Sequence, residues 1–150
     1  PATVGLVAGG RLADKVGRKA VAIATVPTGT LLFAASFAMH GLSMWLIAIT
    51  GGVLLGISYP AMAVFRSELF PTAHRNMASI LIMVASLIGG SVGLVAAGYL
   101  LDNGMSYGRV MLSFAVGPVL VAVLVALKYP ETAHLELEDI NPEDAQLQSE

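Results

Sequence analysis

Apolar positions in this chain run on unbroken instead of alternating with polar ones. No Asp, Glu, Lys or Arg occurs between Lys19 and Arg66, and two more charge-free runs cover residues 76–101 and 110–127. A helix needs about 20 mostly apolar residues to cross the hydrocarbon core of a bilayer, so the first run holds two such lengths and each of the others holds one. No ten-residue segment alternates as a membrane-barrel strand would, which leaves helices as the spanning structure. The pattern predicts full spans over 20–39, 44–65, 77–101 and 109–128. A tight turn over 40–43, a polar segment over 66–76 and a turn over 102–108 join them. Residues 1–10 are apolar and small, half a crossing at most, and read as the end of a truncated helix before a polar loop over 11–19. The fold class is therefore all-α membrane, four full transmembrane helices plus the end of a fifth. A bundle occupies 1–128 and a separate tail 129–150.

Small residues mark where such helices meet, because in lipid the backbones must approach closely to gain packing energy. Gly5 and Gly9, Gly52 and Gly56, and Gly89 and Gly93 each stand four apart and so share a helical face. Together they predict a tightly packed bundle. Pro27 lies inside the first full span, and Gly56 with Pro60 marks a place in the second where the hydrogen-bond ladder is loosened and a bend is allowed.

Composition agrees with burial in lipid. The chain has 56% hydrophobic and 12% charged residues and a mean hydropathy of +0.78. A soluble domain of that make-up would expose large apolar patches to water. The net charge of -2 conceals a segregation: seven of the ten acids lie in the last twenty residues, so the tail is an acidic, soluble appendage that repels nucleic acid. Seven of the eight basic residues fall in alternate connections, namely Arg11, Lys15, Arg18 and Lys19, then Arg66 and Arg75, then Lys128; Arg109 alone lies opposite. The positive-inside rule places loops 11–19 and 66–76 and the tail in the cytoplasm of a cell (plasma or inner) membrane protein. There is no cysteine, hence no disulfide, thiolate metal site or Cys nucleophile. The chain opens at Pro1 without an initiator Met and is expected to be a piece of something longer.

The most specific local pattern is Gly10-Arg11-Leu12-Ala13-Asp14-Lys15-Val16-Gly17-Arg18-Lys19. Asp14 and Arg18, four apart, can pair if the segment winds helically, and Gly10 and Gly17 permit a sharp turn between antiparallel spans. A phosphate-binding loop is excluded, since no Gly-Lys-Ser/Thr follows and no strand precedes. The segment resembles the signature loop of the major facilitator superfamily, Gly-x-x-x-Asp-Arg/Lys-x-Gly-Arg-Arg/Lys, at Gly10, Asp14, Lys15, Gly17, Arg18 and Lys19. The stretch from Ser67 through Glu68, Pro71 and Arg75 is similar to the loop between helices 10 and 11 of that superfamily's sugar porters and metabolite:proton symporters. Pro130-Glu131-Thr132 with Leu137-Glu138-Asp139-Ile140 is similar to the motif after helix 12. Asn76, His134 and Leu135 depart from those patterns.

The resemblance implies the end of helix 8 through helix 12 of a facilitator bundle, and a fragment of a secondary active transporter, a symporter in the subgroup it resembles, moving a small polar solute by alternating access. The missing N-terminal half of the same transporter and the lipid bilayer would be its partners. It further implies that Asp14, Arg18, Glu68, Arg75 and Glu131 belong to a charged gate at the cytoplasmic end, beside the signature positions Pro71 and Pro130. No carboxylate, Lys or Arg lies inside a span, so a proton-coupling acid is expected outside this chain. Substrate contact then falls to neutral groups, with Ser58 and Tyr59 beside the expected bend as first candidates and Thr50 and Ser86 next. Each hydroxyl has a competing use, bonding to its own helix. His40, His74 and His134 are too scattered for a metal site, no cofactor is implied, and no paired Ser/His or twin Asp suggests an enzyme. The alternative is a stand-alone four-helix membrane adaptor, receptor or small dimeric exporter.

Overall fold

The computed structural model describes residues 2–68 and 74–128, and the side chains of 64–68 and 75 are not among the described features. The described residues form five helices and no strand: α1 (Ala2–Val16), α2 (Arg18–Ser36), α3 (Gly41–Glu68), α4 (Arg75–Asp102) and α5 (Tyr107–Lys128). Four stretches, Arg18–Ser36, Gly41–Ala63, Asn76–Asp102 and Tyr107–Lys128, are long and apolar enough to cross a membrane. These match the four expected spans to within a few residues. The acidic tail lies outside the described residues.

The first connection differs from the expected polar loop. Helix α1 continues without a break through Gly10 to Val16, and α2 starts two residues later at Arg18. Apolar character ends at Gly10, but helical winding does not. Arg11, Asp14 and Lys15 suit a helix that emerges from lipid, so a change of solvent here is not a change of secondary structure. The whole reversal falls on Gly17, with φ 106° and ψ 140°. A side chain would be strained there. Gly10 takes no part in the turn. At the other end, α2 stops at Ser36, and α3 begins at Gly41 with φ 68°.

Helices α1 and α3 run parallel in strict register. Gly5 lies against Val53 and Gly9 against Ile57, and Ala13 shares a buried cluster with Ala61; each of these pairs is 48 residues apart. The four-residue spacing keeps all three contacts on one face of each helix. A methyl added to Gly9 would lie 2.7 Å from the Ile57 Cα, and one on Gly56 would strike the Ala2 carbonyl. Helix α2 crosses antiparallel to α3 at Gly29 and Gly51. A Cβ on Gly51 would sit 2.7 Å from the Phe33 amide nitrogen and 3.0 Å from the Gly29 carbonyl oxygen. The position that packs against α2 is thus Gly51; the neighbouring Gly52 of the expected pair faces open space.

Helix α5 lies along α2. Ala22 and Val125 are buried together, with Ile23 and Met62 against them, and at the opposite end Gly108 meets Ala38. Gly108 was expected in a turn; it is instead a helix contact, because α5 starts one residue earlier. Between these two contacts Thr30, Phe33, Ala34, Phe37, Leu55, Met111, Phe114 and Ala115 surround a gap of about 170 Å³. Phe33 and Phe37, one turn apart along its α2 wall, stack edge to face at 5.8 Å.

Helix α4 stands apart. None of the residues in its spanning stretch is buried, and it touches α3 and α5 only sparingly. Gly89 and Gly90 meet nothing, and Gly93 has only the Phe114 ring at 3.9 Å. The expected packing of Gly89 and Gly93 is therefore absent among the described residues. Spacing puts two glycines on one face, but a face packs only where a neighbour is present.

Candidate functional site

The register of the bundle gathers charge at one end. Parallel α1 and α3 end on the same side, antiparallel α2 starts there, and the Ala22–Val125 contact brings the end of α5 to the same level. Arg11, Asp14, Lys15, Arg18, Lys19 and Lys128 consequently share one end of the structure, while Arg109 opens α5 at the other. Glu68 and Arg75 occupy the last position of α3 and the first of α4. Pro71, Pro130 and Glu131 lie outside the described residues.

At this charged end Arg18 Nη2 stands 3.9 Å from Asp14 Oδ1, across the Gly17 reversal. The two partners are unequally placed: the Asp14 side chain is 72% exposed and that of Arg18 only 18%. Lys15 is exposed and Lys19 half-buried. Asp14 lies in the last turn of α1 and Arg18 opens α2, so the pair bridges the break at Gly17 instead of lying along one helix. A loose, half-solvated pair contributes about 0 to 1 kcal/mol to stability. Such a contact is cheap to open and re-form.

The neutral candidates divide by burial. Thr50 and Ser86 are exposed, and their hydroxyls donate to the carbonyls of Leu46 and Ile82, at 2.8 and 2.7 Å. Ser58 is buried and donates to the Leu55 carbonyl at 2.8 Å. Ser91 and Thr25 bond in the same manner, to Leu87 and Val21. A Ser or Thr hydroxyl in a helix keeps acceptor capacity when its proton is given to the preceding turn, so these groups can accept from a solute without being reoriented. Tyr59 is 61% exposed, next to the buried Ser58, and carries the free phenol of the candidate set.

Two open furrows lie on faces turned away from the packed seams. One, of about 520 Å³, runs along α4 past Ser91, Val92, Val95, Ala96 and Tyr99. The other, of about 420 Å³, runs along α1 past Thr3, Val4, Val7, Ala8 and Arg11. Sequence reading treats Arg11 only as one basic charge among several. Its helical spacing from Val4 and Val7 was the available signal, but it acquires meaning only once α1 is known to continue past Gly10. Among the described residues no group of His, Cys, Asp and Glu could hold a metal ion.

Comparison with known proteins agrees with this architecture. The family model of the Major Facilitator Superfamily matches residues 1–148. The gentisate transporter of Corynebacterium glutamicum is 31% identical over 129 residues, covering 83% of this chain. The gallate transporter of Pseudomonas putida is 24% identical over 131 residues, covering 87% of it. The chain spans 29% of the length of each of these relatives. No solved structure matches it significantly. Both relatives are transporters by name, and four helices of this chain are long and apolar enough to cross a membrane, as a multi-pass membrane protein requires. With a family match over almost its entire length and a helical bundle of the expected kind, the chain belongs to the Major Facilitator Superfamily.

Proposed function

We propose that this chain supplies the helix 8 to helix 12 region of a secondary transporter that moves hydroxylated aromatic carboxylates by alternating access. The observation that carries the reading is the family match over residues 1–148, joined to two relatives named for gentisate and gallate, both hydroxybenzoates. The sugar-porter and metabolite-symporter likeness of the 66–76 segment supports a polar organic solute; the names of the relatives narrow it to aromatic acids. In this reading the packed α1–α3–α2–α5 unit moves as one body, and the exposed faces of α1 and α4 border the solute path with the remainder of the full-length protein. Solute sites of such carriers lie near mid-membrane between pseudo-equivalent repeats.

The charged end is cytoplasmic in this reading, on the positive-inside rule. Asp14 and Arg18 form the gate contact, and the signature motifs assign Lys15, Lys19, Glu68, Arg75 and Glu131 to the same gate. Tyr59 and Ser58 hydrogen-bond the solute from α3, with Thr50 and Ser86 as further polar contacts. Proton coupling, if the carrier is a symporter, draws on a carboxylate elsewhere in the protein, since every Asp and Glu among the described residues lies at a helix end. The test is uptake by the full-length protein of labelled gentisate, gallate, glucose and succinate, with and without a pH gradient. Saturable uptake of the aromatic acids is expected. Uptake of glucose or succinate alone would overturn the solute class, and no saturable uptake of any of them would overturn the reading.

A further inference from the structure

We propose that Asp102 and Arg109 form a second charged closure, at the end of the bundle opposite Asp14 and Arg18; this rests on the alternating-access reading above. The chain carries an internal repeat. Seven of the ten residues from Gly5 to Asp14 recur in order from Gly93 to Asp102: Gly-Leu-Val-Ala, then Gly, Leu and Asp at matching positions. After three extra residues Gly17-Arg18 recurs as Gly108-Arg109, and nine positions further on Pro27 recurs as Pro118. Small and aliphatic residues coincide readily in any two spanning helices. An Asp, a Gly-Arg step and a proline in the same order coincide far less readily.

The two copies share one design and run in opposite directions. Each is a helix, a reversal on a glycine of positive φ, and a second helix with a proline inside it. The three extra residues move the reversal from Gly17 to Gly104 and leave Gly108 to pack on Ala38. Helix α1 runs toward the basic end, whereas α4 starts there and runs away from it. Transporter folds are commonly built from repeats of inverted topology. A contact made by one copy on one membrane face then has its counterpart on the other.

The charges at the far end are few and stand in unfavourable places. Among the described residues Asp102 and Arg109 are the only Asp, Glu, Lys or Arg there, they are of opposite sign, and Arg109 is the base that departs from the positive-inside rule. Each also opposes its own helix dipole. Asp102 is the last residue of α4, where carbonyl ends disfavour an anion, and Arg109 lies in the first turn of α5, where amide ends disfavour a cation. Asp14 and Arg18 are misplaced in the same way, in the last turn of α1 and at the start of α2. One contact between acid and base offsets both penalties. In the first copy that contact is made, at 3.9 Å.

The setting of the second pair lets its members part and meet. Arg109 sits between the buried Gly108 and Val110, the former against Ala38, so its backbone is fixed to the packed α2–α5 unit. Asp102 belongs to α4, which stands apart from that unit. Both residues are exposed, and no ion pair joins them in this structure. Pairing draws the end of α4 onto the packed unit and seals that mouth. The two pairs close in turn, one on each face.

The experiment uses the full-length protein in proteoliposomes, in an otherwise cysteine-free background, with whichever solute of the panel above the wild type takes up. Cysteines replace Asp102 and Arg109 in one version, and Asp14 and Arg18 in a reference version. Each pair is linked by a short bifunctional thiosulfonate and released by a reductant. Linking 102 to 109 is expected to abolish uptake and reduction to restore it, because a closure that cannot open stops the cycle. Asp102→Asn and Arg109→Gln should each lower initial uptake about two- to fivefold, the worth of an exposed pair, and the exchange Asp102→Arg with Arg109→Asp should recover most of the loss. Uptake that survives the 102–109 link but not the 14–18 link would overturn the second closure alone, as would failure of the 102–109 link to form or an exchange no better than either single change. Uptake that survives both links would overturn the gate reading of Asp14 and Arg18, and this inference with it. Wild-type protein that takes up none of the four solutes would overturn the transporter reading and everything resting on it.

Discussion

Helices α3 and α4 are each 28 residues long, comparably apolar, and carry four glycines apiece, yet they occupy opposite situations. Gly51 and Gly56 of α3 bring the backbone against Phe33 and Ala2, and α3 receives Gly5, Gly9 and Gly29 from its neighbours. Of the glycines in α4, Gly93 alone has an atom within reach, at ordinary contact distance. In water the two helices would be driven together by their apolar surface. In lipid that drive is absent, and contact depends on matched small-residue faces. Gly51 and Gly56 of α3 are part of an interlocking fit; the glycines of α4 are surface.

The largest effect is expected where two backbones meet. Gly9→Val puts branched carbon within 2.7 Å of the Ile57 Cα, and neither helix can yield without giving up the register of Gly5 with Val53 and of Ala13 with Ala61. A loss of about 3 kcal/mol or more is expected, the upper end for an overpacked contact. Denaturant titration in detergent micelles would measure it, and a loss below about 1 kcal/mol would show the α1–α3 seam to be soft. Gly51→Ala, against the Phe33 amide and Gly29 carbonyl, should cost about 1 to 3 kcal/mol in the same assay.

A smaller stability effect but a functional one is expected at the gate. Asp14→Asn removes the charge facing Arg18 at 3.9 Å and should change stability by less than about 1 kcal/mol. Uptake by the full-length protein should nevertheless fall at unchanged expression. Unchanged uptake would leave the pair without a conformational role. The smallest effect is expected on α4: Gly90→Ala in the 150-residue chain should leave stability unchanged or raise it by up to about 1 kcal/mol, as helix propensity alone dictates. A marked drop would mean that this glycine face is packed after all.

Much of the architecture was legible in the sequence, because a bilayer accepts few solutions: three charge-free runs, the first of double span length, became four helices of nearly the expected bounds. Gly5 and Gly9 were legible as a contact face, and Asp14 with Arg18 as a pair. Less legible was which faces find neighbours. Gly52 was expected to pack with Gly56, but α2 approaches from the side of Gly51, and nothing in four-residue spacing tells those directions apart. The winding of α1 past Gly10 was hidden because polarity marks where a helix leaves lipid, not where it stops. The hydroxyls of Ser58, Thr50 and Ser86 were legible as polar groups in apolar spans; their bonds to Leu55, Leu46 and Ile82 depend on rotamers that spacing does not encode.

The contrast between a locked α1–α3 seam and an open α4 is tested most directly by cross-linking in membranes. Cysteines would replace Ala13 and Ala61 in one otherwise cysteine-free version of the full-length protein, and Ser86 with Thr50 in another. Efficient cross-linking of the first pair by a short bifunctional reagent is expected, because both residues are buried in one cluster, and little or none of the second, exposed pair. Free reaction of the cysteines at 13 and 61 with an aqueous maleimide, with no cross-link between them, would contradict it.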